Sequence, residues 1–263
     1  MDISLIICLA ALLAASFTDI KKREIPDWIS YSFIALALAA AAAESVVYSK
    51  PYFILNSAAG LALFFILANI FYYAKVFAGG DAKLMMGLGA ALGIDFNFLA
   101  NILVVGGVYG IVYSAALAFS NFKNFRKEAK KVNLPLFYFI LASALIFASA
   151  LILNYSFLYM FAALVLFLPL LYLFSFSVEK SSLIKSVPPE KLTEGDWLAA
   201  DVTIKGKTIK ASFEGLSKSD IALIKKSKKN VLIKYGLPFV PVFLLAFLAE
   251  LIAGNLLFVI IGI

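Results

Sequence analysis

The 263-residue chain is 63% hydrophobic and only 15% charged, a balance outside that of water-soluble domains, and it carries a net charge of +7. It has no histidine and a single cysteine, Cys8, set in an apolar run. Those absences remove the commonest general base, disulfides and thiolate metal centres, so no cofactor and no metal are expected and hydrolytic chemistry would rest on carboxylates.

In chain order, apolar runs predict spans near Ile3–Thr18, Trp28–Val47, Tyr52–Tyr73, Ala82–Ile94, Phe96–Phe119, Pro135–Leu153, Phe157–Ser177 and Leu237–Ile260. The first opens Met1-Asp2 without a basic region, and Lys21-Lys22-Arg23 follow it. That order marks a retained span with its amino end outside, not a cleaved signal. Between Val132 and Val178 no Asp, Glu, Lys or Arg occurs. At about 1.5 Å per residue, this stretch crosses a ~30 Å hydrocarbon core twice, with Asn154-Tyr155-Ser156 as the polar turn. The fourth run is short, and charge decides whether it crosses. With eight crossings, every one of the 23 Lys and Arg except Lys50 lies on one side. Without the fourth, the cluster Lys123, Arg126, Lys127, Lys130 and Lys131 would move to the other side. The positive-inside rule therefore favours eight crossings with both termini outside. The net charge then reflects topology and attraction to anionic membrane lipid, and no nucleic-acid partner is needed to explain it.

The one sizeable polar segment is Val178–Tyr235. Val202-Thr203-Ile204 and Thr208-Ile209-Lys210 around Lys205-Gly206 predict a hairpin, Ser217-Lys218-Ser219-Asp220 a helix start, and Val231-Leu232-Ile233 a further strand. Glu194 and Asp196 read as turn residues. The expected fold is an all-α polytopic membrane protein of about eight transmembrane helices with a small α+β cytoplasmic insertion before the last. It divides into a transmembrane bundle (1–177), the soluble insertion (178–235) and a C-terminal transmembrane helix (236–263).

Two of the sixteen carboxylates stand apart. Asp19 ends the first span and Asp81 begins the fourth, so this topology sets both at the cytoplasmic interface and at matching depth. Two carboxyl groups brought together in a partly desolvated site share a proton, one pKa rising and the other falling. The charged member can then take a proton from water while the protonated one hydrogen-bonds a scissile carbonyl. Gly79 and Gly80, just before Asp81, would let a substrate backbone approach closely. Taken singly, Asp19 also reads as an interfacial residue paired with Lys22 or Arg23, and Asp81 as a helix N-cap.

Gly79-Gly80-Asp81-Ala82-Lys83-Leu84, continued by Leu88-Gly89-Ala90 and Gly93, resembles the G-x-G-D segment of the type IV prepilin peptidases. Asp19-Ile20-Lys21-Lys22-Arg23-Glu24-Ile25-Pro26-Asp27 resembles the first-aspartate segment of the same family, an aspartate followed by I-P-D/N. The resemblance covers roughly residues 1–120. The tail, with Gly236-Leu237-Pro238-Phe239-Val240-Pro241 leading the last span, is similar to archaeal members, among them the preflagellin peptidases. It implies Asp19 and Asp81 as the catalytic pair of an aspartic endopeptidase in the cell membrane, with Gly79, Gly80 and Lys83 shaping the site. The substrates it implies are precursor pilins or archaellins with short signal peptides. Glu24 and Asp27 are candidates to attract the basic residues that precede the cut, or are plain solvated turn residues. Ala78 stands where the motif has its first glycine, which matters only if that position needs positive φ. With no C-x-x-C, N-methylation of the product is not expected.

Glu250, inside the last span, is a candidate by its position or a partner for Asn255. Gly106 and Gly110 are spaced for helix packing. Two other readings stay open: a presenilin-like intramembrane protease, and a proton- or cation-coupled transporter in which the paired aspartates relay protons.

Overall fold

The computed structural model describes residues 3–74, 76–204, 206–212 and 214–262. Met1-Asp2, Lys75 and Lys205, which entered the sequence argument, lie outside the described residues. In order come α1 (Ile3–Lys22), α2 (Asp27–Val47), α3 (Tyr52–Tyr73), α4 (Gly79–Leu92), α5 (Phe96–Ser120), α6 (Phe122–Lys131), α7 (Leu136–Leu153) and α8 (Ser156–Val178). Strands β1 (Ile184–Val187), β2 (Trp197–Leu198), β3 (Val202–Ile204) and β4 (Lys207–Ile209) follow, then α9 (Lys218–Ser227), β5 (Val231–Lys234), α10 (Val240–Ala253) and α11 (Leu256–Ile261).

Among the described residues six helices are long and apolar enough to cross a membrane: α1, α2, α3, α5, α7 and α8 with the turn that extends it. The protein is a multi-pass, predominantly helical membrane protein. Helices α4 and α10 have 14 residues each, about 21 Å at 1.5 Å per residue, which is short of the ~30 Å core. The last apolar run is not the single span expected from Leu237 to Ile260. It breaks at Gly254, whose φ of 70° ends α10, and Asn255 caps α11 by accepting from the Leu257 N–H. Asn101 clamps the break, donating to the Gly254 carbonyl and accepting from the Leu256 N–H.

The chain forms two compact units, one running to Ile111 and resuming at Gly236, the other from Val112 to Tyr235. In the first, Leu12, Phe33, Phe64, Leu84, Leu88, Phe98, Phe243 and Phe247 build a closed apolar core. Short α4 lies against α1, α2 and α3. Its glycines make that possible: a Cβ on Gly89 would stand 2.5 Å from the Gly60 carbonyl oxygen, and one on Gly87 would overlap the Phe33 ring. Ser57 Oγ donates to the Ala90 carbonyl across the same contact. Much of α4 is thus covered by protein, so it does not need the length or uniform apolarity of a lipid-facing helix.

In the second unit α7 and α8 pack together, joined by a Ser143 Oγ hydrogen bond to the Ala162 carbonyl, and Phe137, Ile152, Phe161 and Phe167 are exposed. Such apolar surface belongs in lipid. The basic cluster at 123–131 forms helix α6, an element additional to the spans expected from the apolar runs. Strand β5 pairs antiparallel with β1 and β2, β3 pairs with β4, and α9 starts at Ser217 with its Oγ and the Asp220 carboxylate capping each other's backbone N–H. Val187, Leu198, Ile224, Val231 and Ile233 fill the core of this layer. Asp196 accepts from the Thr193 N–H, a turn as its sequence suggested.

Candidate active site

Helix α1 carries Asp19 in its last turn, where the residue is 6% exposed. The helix ends because Arg23 turns left-handed at φ 57°, its N–H still bonded to the Asp19 carbonyl. Ile25 and Pro26 then redirect the chain, and with its φ of −58° Pro26 sets the entry into α2 at Asp27. Oδ2 of Asp19 accepts from the Val240 N–H at 3.0 Å, so the first residue of α10 reaches the carboxyl from 221 positions away. Arg23 reinforces that junction, donating from Nη1 to the Gly236 carbonyl at 2.9 Å.

Asp81 is the third residue of α4. Its Oδ2 accepts from the Ala78 N–H at 3.2 Å, half of a capping box, since alanine has no hydroxyl to complete it. Ala78 has φ −74° and ψ 165°, ordinary extended backbone, so alanine in place of the motif glycine carries no strain. Asp81 precedes Ala82, where the apolar stretch begins. Burial, and next the Asp19 carboxyl acting on it, push its pKa up from 3.8 to about 7, against a smaller opposing effect of the Ala78 N–H. The two aspartates, 62 residues apart in sequence, are therefore electrostatic neighbours. One member of such a pair can keep its proton near neutral pH while the other is charged, which supplies an acid and a base side by side.

Gly80 faces Ile25, whose side chain would meet a Cβ at 3.1 to 3.4 Å, so this glycine leaves room for Ile25 of the same chain. Among the described residues Gly79 has only the Tyr72 ring near it, at 3.9 Å. Lys83 is paired with Asp27, Nζ to Oδ1 at 2.6 Å, and lies over the Tyr31 ring. Glu24 is exposed. Glu250 is far along α10 from this cluster and faces the Asp95 carboxyl, while Asn255 bonds to Asn97 instead. Gly106 packs against Phe239 and Val242, but Gly110 has open space beside it among the described residues, so it is not a packing glycine as its spacing suggested.

The sequence marks Gly236, Phe239 and Val240 only as the lead-in to the last span and gives no site role to them or to the ring cluster of Phe77 with Phe239 and Phe243, at 5.2 and 5.7 Å, which ties the segment before Asp81 to α10. The available signal was Pro241, a residue tolerated in a first helical turn, which marks a helix start next to Val240. Among the described residues no three His, Cys, Asp or Glu side chains group as metal ligands.

Residues 6–115 match the type IV leader peptidase family. The chain is similar to a prepilin peptidase of Methanothermobacter thermautotrophicus, 30% identical over 112 residues, which are 41% of this chain and 29% of the relative. It is similar to a preflagellin peptidase of Methanocaldococcus jannaschii, 33% identical over 90 residues, or 34% of this chain and 38% of the relative. A preflagellin peptidase of Methanococcus maripaludis is 27% identical over 130 residues, covering 44% of this chain and 56% of the relative. The alignments thus span between about a third and just over half of each relative. No solved structure matches.

Proposed function

We propose that this protein, whose residues 6–115 match the type IV leader peptidase family, is an aspartic endopeptidase of the cell membrane. It removes short signal peptides from type IV pilin-like or archaellin precursors at the cytoplasmic face. The observation that carries the reading is the juxtaposition of Asp19 and Asp81 where α1, α4 and α10 meet. Relatives named prepilin and preflagellin peptidases support the substrate class.

In the reaction, the charged carboxylate takes a proton from a water molecule, which attacks the scissile carbonyl. The protonated carboxyl hydrogen-bonds the carbonyl oxygen as negative charge gathers there, and a carboxyl then protonates the leaving amine. An eight-crossing topology sets this chemistry at the interface, where the basic end of a precursor signal meets its apolar helix. Glu24, exposed beside the Asp19 segment, is placed to attract that basic end; Asp27 is engaged by Lys83 and serves less well.

The test is processing of a tagged precursor by membranes that contain the protein. Cleavage that persists in Asp19→Asn or Asp81→Asn would defeat the proposal.

A further inference from the structure

Resting on the aspartic reading above, we infer that the amino end of α10 is a positioning element of the catalytic centre: the Val240 N–H makes Asp19 the charged member of the pair and leaves the proton on Asp81.

An N–H can only donate, and an ionised carboxylate can only accept, so a backbone donor aimed at a carboxyl favours its charged form. Val240 opens α10, where unsatisfied N–H groups and the helix dipole both favour negative charge. Of the N–H groups at this end, Pro241 has none and that of Val242 is bonded to the Phe239 carbonyl, whereas that of Val240 goes to Asp19 Oδ2 at 3.0 Å and that of Phe239 acts more weakly on the same carboxyl. Asp81 also takes one backbone N–H, from Ala78, but at the longer distance of 3.2 Å.

The charged groups around the pair make the same distinction. Just past the end of α1, Arg23 lies four residues beyond Asp19 and puts its charge beside it. On α4 the nearby cation is Lys83, which is turned to Asp27 of α2 at 2.6 Å. On α10 itself the ionisable group is Glu250, ten residues on and about 15 Å away by helical rise. The same end of α10 also locates Asp81, because Phe239 and Phe243 hold the Phe77 ring four residues before it, and Gly106 leaves room for Phe239. Residues 236–263 lie beyond the matched stretch 6–115, so the centre draws one essential contact from outside it.

The experiment replaces the amide at Val240 by an ester in the full-length chain, using the α-hydroxy analogue of valine and nonsense suppression with insertion into liposomes. The side chain stays and only the N–H is lost. Cleavage of a tagged archaellin precursor is followed as kcat and KM against pH, beside Val240→Ala, which keeps the N–H. The expected result is an acid limb of the kcat profile moved up by about one pH unit in the ester, with its alkaline limb and KM unchanged, while the acid limb of Val240→Ala stays at the parent's pH whatever the loss of the buried side chain does to its rate. A shift of the alkaline limb alone would put the charge on Asp81 and overturn the inference. So would an unchanged profile, or the same shift in Val240→Ala, which would make packing the cause. If Asp19→Asn and Asp81→Asn are both inactive while the ester profile is unchanged, only this inference falls. If either Asn variant cleaves, the aspartic reading falls with it.

Discussion

Lys83 Nζ lies 2.6 Å from Asp27 Oδ1, which ties the turn carrying Asp81 to the start of the helix that follows Asp19. The side chains are 32% and 64% exposed, so solvent screens the pair and its contribution to stability is about 0–1 kcal/mol. Its effect is expected in catalysis. Lys83→Met and Asp27→Asn should each lower the cleavage rate several-fold with little change in thermal midpoint, and the double substitution should be no worse than the poorer single one. Rate measurements on the four proteins decide it. Additive losses, or a KM increase confined to Asp27→Asn, would mean that Asp27 meets substrate by itself.

Asp19→Asn and Asp81→Asn should abolish processing while the protein stays inserted. Asparagine matches aspartate in size and its side-chain oxygen still accepts the Ala78 or Val240 N–H, so a purely structural role would survive either change. The amide can neither take the water's proton nor share one, and losing one member should cost nearly as much as losing both. Gel-shift assays of a precursor, normalised for protein in the membrane, read this directly.

The pH dependence follows from Asp81. Its folded value of about 7 exceeds the ordinary 3.8, so between these values the folded protein holds more protons than the unfolded one, and stability falls as pH rises through that window. Asp81→Asn has no such loss. Its thermal midpoint in detergent, relative to the parent, should rise from about pH 4 to 7 and then level off. Activity of the parent should fall as pH climbs through about 7 and the acid is lost. A pH-independent difference between the two midpoints would contradict the protonated state of Asp81.

Helix packing gives a further measurable contrast. Gly89→Ala puts a Cβ 2.5 Å from the Gly60 carbonyl oxygen, where backbone and not a flexible side chain must yield, and overpacking of this kind costs about 1–3 kcal/mol. Gly107, inside α5, has open space beside it among the described residues, so Gly107→Ala should be neutral or gain up to about 1 kcal/mol of helix propensity. Thermal midpoints in detergent separate the two.

The two candidate aspartates stand out in the sequence because each sits in a short segment whose neighbours, Ile25-Pro26-Asp27 and Gly79-Gly80, mark a helix end and a helix start. Long apolar runs gave the lipid-facing helices for the same reason: their signal is local. The contacts that complete the site are not local. Val240 meets Asp19, Gly80 admits Ile25 and Lys83 finds Asp27 only through tertiary packing, and no periodicity in the chain announces it. Helix α6 was hidden by its charge, since its apolar positions Phe122 and Phe125 are few beside five basic residues. The break after α10 was masked by apolar residues on both sides of Gly254 and Asn255.

The proposed cytoplasmic placement of the pair is tested by labelling. Single cysteines go at Asn124 in α6, Ser156 at the start of α8 and Lys207 in the β3–β4 hairpin, all exposed positions, in a Cys8→Ala background. Cys8 is fully buried, so its loss removes a competing thiol from the core and not from the surface. An impermeant thiol reagent added to intact cells should label position 156 alone, and permeabilised cells should label all three. The contrast depends on α4. If its 14 residues cross, Asn124 lies on the same side as Asp19 and Asp81; if α4 only dips into the bundle, α5 starts from that side and delivers Asn124 to the outside. External labelling at 124 would remove the fourth crossing and, with it, the positive-inside distribution that sets the aspartates at the cytoplasmic face.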